Sequence, residues 1–128
     1  MLQDRRYHRP MSAYESLLRR AYAAFNARNI DDALALMRPD VDWPNAWEGG
    51  RAIGHAAVRD YWTRQFGAIT PHVEPLGFED EAPGVVMVRV HQVVKDAAGA
   101  LLSEGFVRHT YTFSDGLVAR MDVSEEPK

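Results

Sequence analysis

The chain has 128 residues with a formal charge of -3, an apolar fraction of 46% and a charged fraction of 26%, which bound it to one domain around a single core. That weak acidity sets up no field for nucleic acid or an anionic membrane, and no apolar run approaches the ~18 residues that span a bilayer. Without any cysteine, disulfides, thiolate catalysis and cysteine-bound zinc are excluded.

Residues 1–11 are polar, with Arg5, Arg6 and Arg9 against one acid, Asp4, as far as Pro10. They read as a flexible basic arm, with Met11 as an alternative start. No apolar stretch there matches a secretory signal, so a cytoplasmic protein is the default expectation. Ser12-Ala13-Tyr14-Glu15 then has the spacing of a capping box, in which Ser12 and Glu15 satisfy each other's backbone N–H groups. Leu17, Leu18, Ala21, Tyr22 and Phe25 recur at three- and four-residue intervals, so the helix they form has one apolar face. It is expected to stop near Arg28-Asn29, with Asn29 taking the left-handed conformation.

A second short helix is predicted from Asp31 to Met37, ended by Pro39, because a residue before proline is pushed out of the α region. Val41 to Pro44 reads as a strand leading out of a sheet. Gly49-Gly50 is a turn, and a third helix follows over His55–Ile69, with Ala57, Val58, Tyr61, Trp62, Gln65 and Phe66 facing inward. Four strands close the order: His72–Phe78, Val85–Lys95, Leu101–Phe113 and Leu117–Val123. Consecutive strands with hairpin-length links predict a mostly antiparallel sheet, covered on one face by helices, hence an α+β class. The domain spans 12–124, and residues 125–128 form a tail.

Turn chemistry assigns the faces. Ser114-Asp115-Gly116 reads as a three-residue hairpin loop that pairs Phe113 with Leu117, Tyr111 with Ala119 and His109 with Met121. A two-residue Asp-Gly loop would instead set His109 opposite Asp122 and swing Arg120 to the apolar side. In the preceding hairpin, Asp96-Ala97-Ala98-Gly99 as a loop puts Val86, Val88, Val90, Gln92 and Val94 on the face of His109 and Tyr111. His91 falls outside, near Glu104 and Phe106.

Four segments, YAAFNARNIDDAL (Tyr22–Leu34), PDVDW (Pro39–Trp43), GHAAVRDYW (Gly54–Trp62) and YTFSDGLV (Tyr111–Val118), carry a resemblance. The chain resembles the nuclear transport factor 2-like superfamily, in its branch of SnoaL-like polyketide cyclases and ketosteroid isomerase relatives. The resemblance implies a cone-shaped barrel of a curved sheet wrapped on three N-terminal helices, an apolar pocket at its open end, and a homodimer. It implies no single activity, since isomerases, cyclases, dehydratases, epoxide hydrolases and non-catalytic binding proteins share the fold. In the isomerase relatives the carboxylate base stands directly before a proline of the first strand, and here that position is Trp43. The acid that donates to the oxyanion corresponds to His109, and the helix tyrosine to Ala21, with Tyr22 one residue off.

His109 and Tyr111 are the candidate catalytic residues, since an imidazole near its reference pKa suits proton transfer at neutral pH. The bland alternative for both is a satisfied core pair. Trp43 and Trp47 offer flat apolar walls with indole donors, or else simply plug a turn. Asn45, Glu48, Gln92 and Tyr22 are the candidate polar contacts of such a pocket, with Glu48 a possible base. The five histidines show no ligand spacing, and no phosphate-binding glycine loop or nucleophile elbow is present, so neither metal nor cofactor is expected. The expectation is a domain that binds an apolar small molecule, with no nucleic acid or membrane partner. It either performs acid/base chemistry on a carbonyl compound or binds without catalysis.

Overall fold

The structure is a computed structural model and describes residues 13–125. The expected basic arm, Ser12 and the last three residues lie outside the described residues. Helix α1 (Glu15–Asn26) buries Leu18 and Tyr22 on its apolar stripe. Glu15 pairs with Arg19 one turn on, and the expected capping box, which needs Ser12, lies outside the described residues. Arg28, not Asn29, takes the left-handed backbone, with φ 63°. Asn29 instead caps α2 (Ile30–Leu34), its Oδ1 accepting from the N–H of Asp32 at 3.1 Å. That helix is shorter than expected because Met37 already belongs to β1 (Met37–Pro44).

After β1 the chain makes a hairpin the sequence pattern did not signal. Strand β2 (Arg51–Ile53) returns antiparallel, with Asp42 opposite Ile53 and Pro44 opposite Arg51. Three residues are too few to display a two-residue period. Gly54 then turns into α3 (His55–Ala68) with φ 90°, and a Cβ there would stand 3.4 Å from the Pro39 carbonyl oxygen. His55 fixes this corner by a 3.0 Å contact from Nε2 to the Met37 carbonyl.

Strands β3 (Ile69–Ala82), β4 (Val85–Asp96), β5 (Leu101–Ser114) and β6 (Leu117–Glu125) complete a six-stranded sheet in the order β2-β1-β6-β5-β4-β3. Glu125, expected in the tail, ends β6. Every neighbouring pair is antiparallel except β1 with β6, so the sheet is mixed, and it stays open. The architecture is an α+β cone. Its edge strand β3 is partly paired by Asn26 of α1, whose amide donates to the Val73 carbonyl at 2.7 Å and accepts from the Val73 N–H at 3.0 Å. A side-chain amide thus stands in for one residue of a neighbouring strand.

The β4–β5 strands keep the expected facing but not the expected partners. A loop of Asp96–Gly99 sets Val88 opposite Val107, whereas Val88 stands opposite His109 and Val86 opposite Tyr111, two residues on, with an irregularity between Val94 and Lys95. The β5–β6 register departs too. Ser114 pairs with Leu117 across a two-residue Asp115-Gly116 turn, with both residues at positive φ, as a type I′ turn requires. One extra residue, Ala119, is then taken up between Phe113–Val118 and Thr112–Arg120. The shorter loop and this bulge displace the pairing by two residues in all, so Tyr111 meets Met121 and His109 meets Val123. Two residues is a whole pleat, which is why His109 and Tyr111 still face inward.

The core lies between α1, α3 and the concave face of the sheet, with Leu18, Val58, Trp62, Val88 and Val90 at its centre. The convex face is charged. Arg51 and Arg120 both bond Asp42, at 2.7 and 2.8 Å, and both reach Asp122. Among the described residues no helix is long and apolar enough to cross a membrane, and no cluster of His, Asp or Glu is arranged to hold a metal ion.

Candidate functional site

A cavity of about 120 Å³ opens between α1, α3 and the inner face of the sheet. Tyr22, Trp43, Tyr61, Trp62, Gln65, Gln92, His109 and Tyr111 supply its polar or aromatic wall, and Phe25, Val73 and Met121 its aliphatic and phenyl surface. Each comes from an inward position of its element: i and i+4 neighbours Tyr61 and Gln65 on α3, and alternate residues His109 and Tyr111 on β5. Trp43 packs edge-on against Trp62, with ring centroids 5.5 Å apart, and forms a wall rather than a plug.

The polar groups at the cavity floor are joined. Tyr111 donates its hydroxyl proton to the Tyr22 oxygen at 2.9 Å, and the Tyr22 hydroxyl lies 2.7 Å from Nδ1 of His109. With Tyr111 donating to it, Tyr22 has its own proton for Nδ1, which leaves the neutral ring's proton on Nε2. Burial pushes the His109 pKa down to about 4, away from the reference range expected from sequence. Burial likewise raises Tyr111, and raises Tyr22 with a further push from its neighbour Tyr111. All three groups are therefore neutral at pH 7.

Of the candidate residues, Tyr22, Trp43, Gln92, His109 and Tyr111 line this cavity; Asn45, Trp47 and Glu48 do not. Residues 45–50 form a closed loop between β1 and β2. Asn45 Oδ1 accepts from the Glu48 N–H at 2.7 Å, and the Gly49 N–H bonds the Asn45 carbonyl at 2.7 Å. Glu48 is held by Arg64 through two contacts of 2.8 and 3.0 Å and by the Asn45 amide. Arg64 foremost, then Asn45, brings its pKa down to about 2, so it is a poor proton acceptor on the outer side of the loop. Trp47 is 40% exposed. Tyr61, Trp62 and Gln65 stood in the sequence only as an inward stripe of α3. Their signal was one amide and one phenol among apolar neighbours.

The SnoaL-like domain family matches residues 18–121, which takes in every lining residue of the cavity except Val123. The chain belongs to this family. Among solved structures, this SnoaL-like domain is similar to TerC co-crystallised with polyporic acid, at 24% identity and a TM-score of 0.78, over 90% of this chain and 92% of that one. It is also similar to an NTF2-like protein of unknown function from Burkholderia pseudomallei, at 22% identity and a TM-score of 0.78, over 91% and 92%. A Mycobacterium tuberculosis protein in complex with estradiol-17beta-hemisuccinate aligns at 20% identity and a TM-score of 0.74, over 87% and 92%. No curated protein sequence matches significantly. At such identities the likeness is one of fold, and the SnoaL-like cavity itself must argue its chemistry.

Proposed function

We propose that this SnoaL-like domain binds a compact, largely apolar carbonyl compound and holds its oxygen on His109. One observation carries the reading: the imidazole is buried and neutral, with Nδ1 engaged by Tyr22, so that Nε2–H is the remaining donor of a three-group chain. A neutral donor in an apolar wall suits a carbonyl oxygen, because no ion has to be desolvated. The volume suits a single-ring compound, since a dry cavity of about 150 Å³ accommodates benzene. The structures holding polyporic acid and estradiol-17beta-hemisuccinate support a small-molecule ligand for this fold.

A catalytic reading has support from the same chain of hydroxyls. Run in reverse, with Nδ1–H donating to Tyr22, it would present a lone pair at Nε2 and serve an isomerase, cyclase or dehydratase step. Among the described residues no carboxylate lines the cavity, and a base whose conjugate acid titrates at about 4 is weak against a carbon acid. Binding therefore stands first. The homodimer belongs to the same proposal; exposed Leu102 and Phe106 on the outer side of β5 are surfaces that pairing would bury, and sedimentation velocity of a Phe106→Glu variant tests it.

The deciding measurement is nitrogen-15 NMR of the His109 ring, with acetophenone as probe. The expected result is an Nε2–H tautomer at pH 7, no titration from about pH 8 down to 5, and an Nε2 proton that shifts as acetophenone is added. A midpoint between about pH 5 and 8 would instead favour acid/base catalysis. No response to the ketone would remove the carbonyl reading.

A further inference from the structure

Among the described residues, Gln65 Oε1 is the one buried side-chain oxygen or nitrogen without a hydrogen-bond partner. It lies on the stripe of α3 that faces the cavity, and Gln65 is one of the residues lining it. Its neighbours on that stripe are Val58, Tyr61, Trp62 and Phe66, positions where a leucine or methionine would pack without stranding a polar atom. The Tyr61 hydroxyl lies near the Gln65 side chain and the backbone of Ala46 and Trp47. In the orientation the amide takes here, its oxygen is an acceptor without a donor.

We infer that Gln65 Oε1 receives a hydroxyl or N–H proton from the bound ligand, which makes it a specificity-determining residue of this cavity. The inference rests on the carbonyl-binding reading for the other half of the ligand. His109 offers a donor to an oxygen and Gln65 offers an acceptor to a proton, across a wall otherwise made of aromatic and aliphatic side chains. The ligand class that satisfies both is a single-ring aryl ketone carrying a hydroxyl or amino group. An apolar ketone leaves Gln65 unpaired, and a simple phenol leaves His109 without a carbonyl. A site built to hydrogen-bond a substrate group rejects the analogue that lacks it, because its own buried atom is then stranded.

The test is calorimetric binding of acetophenone, its three hydroxy isomers, 4-methoxyacetophenone, phenol and benzene to the wild type and to Gln65→Leu. At least one hydroxyacetophenone is expected to bind the wild type about tenfold more tightly than acetophenone, and the methoxy compound is expected to show no such gain. In Gln65→Leu the hydroxyl advantage disappears while acetophenone binding holds. The variant's Tm is expected to stay level or rise, since the substitution removes an unpaired acceptor. Phenol against benzene reads Gln65 without any carbonyl. If phenol keeps a Gln65-dependent advantage while no ketone shifts His109, the carbonyl reading fails and the Gln65 inference stands. A hydroxyl advantage that is absent in the wild type, or that survives in Gln65→Leu, overturns the inference. So does an equal loss for all seven compounds, which would make Gln65 a packing residue only.

Discussion

The two faces of the sheet beside β5 and β6 carry polar groups in opposite electrical states. On the concave face, His109, Tyr22 and Tyr111 are buried and neutral, joined from the Tyr111 hydroxyl through Tyr22 to Nδ1 of His109. On the convex face, Asp42, Asp122, Arg51 and Arg120 keep their charges and share them through a web of contacts of 2.7 to 3.3 Å. The distance between the faces is one pleat, and the difference is water. Solvent pays for the ions outside, whereas inside a charge would have to be desolvated, so burial selects the neutral forms. The comparison teaches that hydrogen bonds on the inner face matter for stability and recognition, while the more numerous ion pairs on the outer face matter little.

The largest test breaks the inner face outright. Trp62 is 2% exposed and packs edge-on against Trp43 and Phe25, so Trp62→Ala is expected to cost about 3–5 kcal/mol in chemical denaturation. Next comes acid. The unfolded imidazole titrates near 6.5 and the folded one near about 4, so below pH 6.5 the unfolded chain binds more protons. The stability contributed by neutral His109 is full above pH 6.5 and is lost as pH falls toward 4, about 3 kcal/mol in all. Denaturation curves across that window should show the slope in wild type and its absence in His109→Phe.

A smaller effect is expected from Tyr22→Phe, which strands Nδ1 of His109 and the Tyr111 proton together. About 1–3 kcal/mol should be lost, with the His109 Nδ1 resonance moving in the nitrogen-15 spectrum. The smallest belongs to the convex face. Asp42→Asn cuts the contacts of two arginines, yet the side chain is 29% exposed, so less than about 1 kcal/mol is expected, shrinking further in 1 M salt. A larger penalty from Asp42→Asn than from Tyr22→Phe would reverse the comparison.

Much of the site could be read before any coordinates. The apolar spacing of α1 and α3 and the alternation of β4 and β5 assigned Leu18, Tyr22, Trp62, Val88, His109 and Tyr111 to the inside. The β5–β6 pairing was misread, because a tight Asp-Gly turn with a bulge at Ala119 preserves the same facing as a longer loop without one. Parity is visible in a sequence; the partner across the ladder is not. The stretch from Trp43 to Glu48 misled in another way. Closeness along the chain suggested one shared site, but the hairpin into β2 sends Trp43 to the cavity wall and leaves Trp47 and Glu48 on the outside.

By itself, the sequence determined what local physics determines: helices where apolar residues recur at helical spacing, strands where they alternate, and a chain whose motif order belongs to the SnoaL-like domains. Tertiary structure alone decided which polar groups meet and in what state. Tyr22 and His109 are 87 positions apart, and only the docking of α1 on β5 brings them to 2.7 Å. Only burial, a property of everything packed around a residue, takes His109 to about 4 and leaves Gln65 Oε1 without a partner. Spacing along the chain encodes the face a side chain joins, but the protonation and pairing of that side chain depend on neighbours brought from elsewhere in the fold.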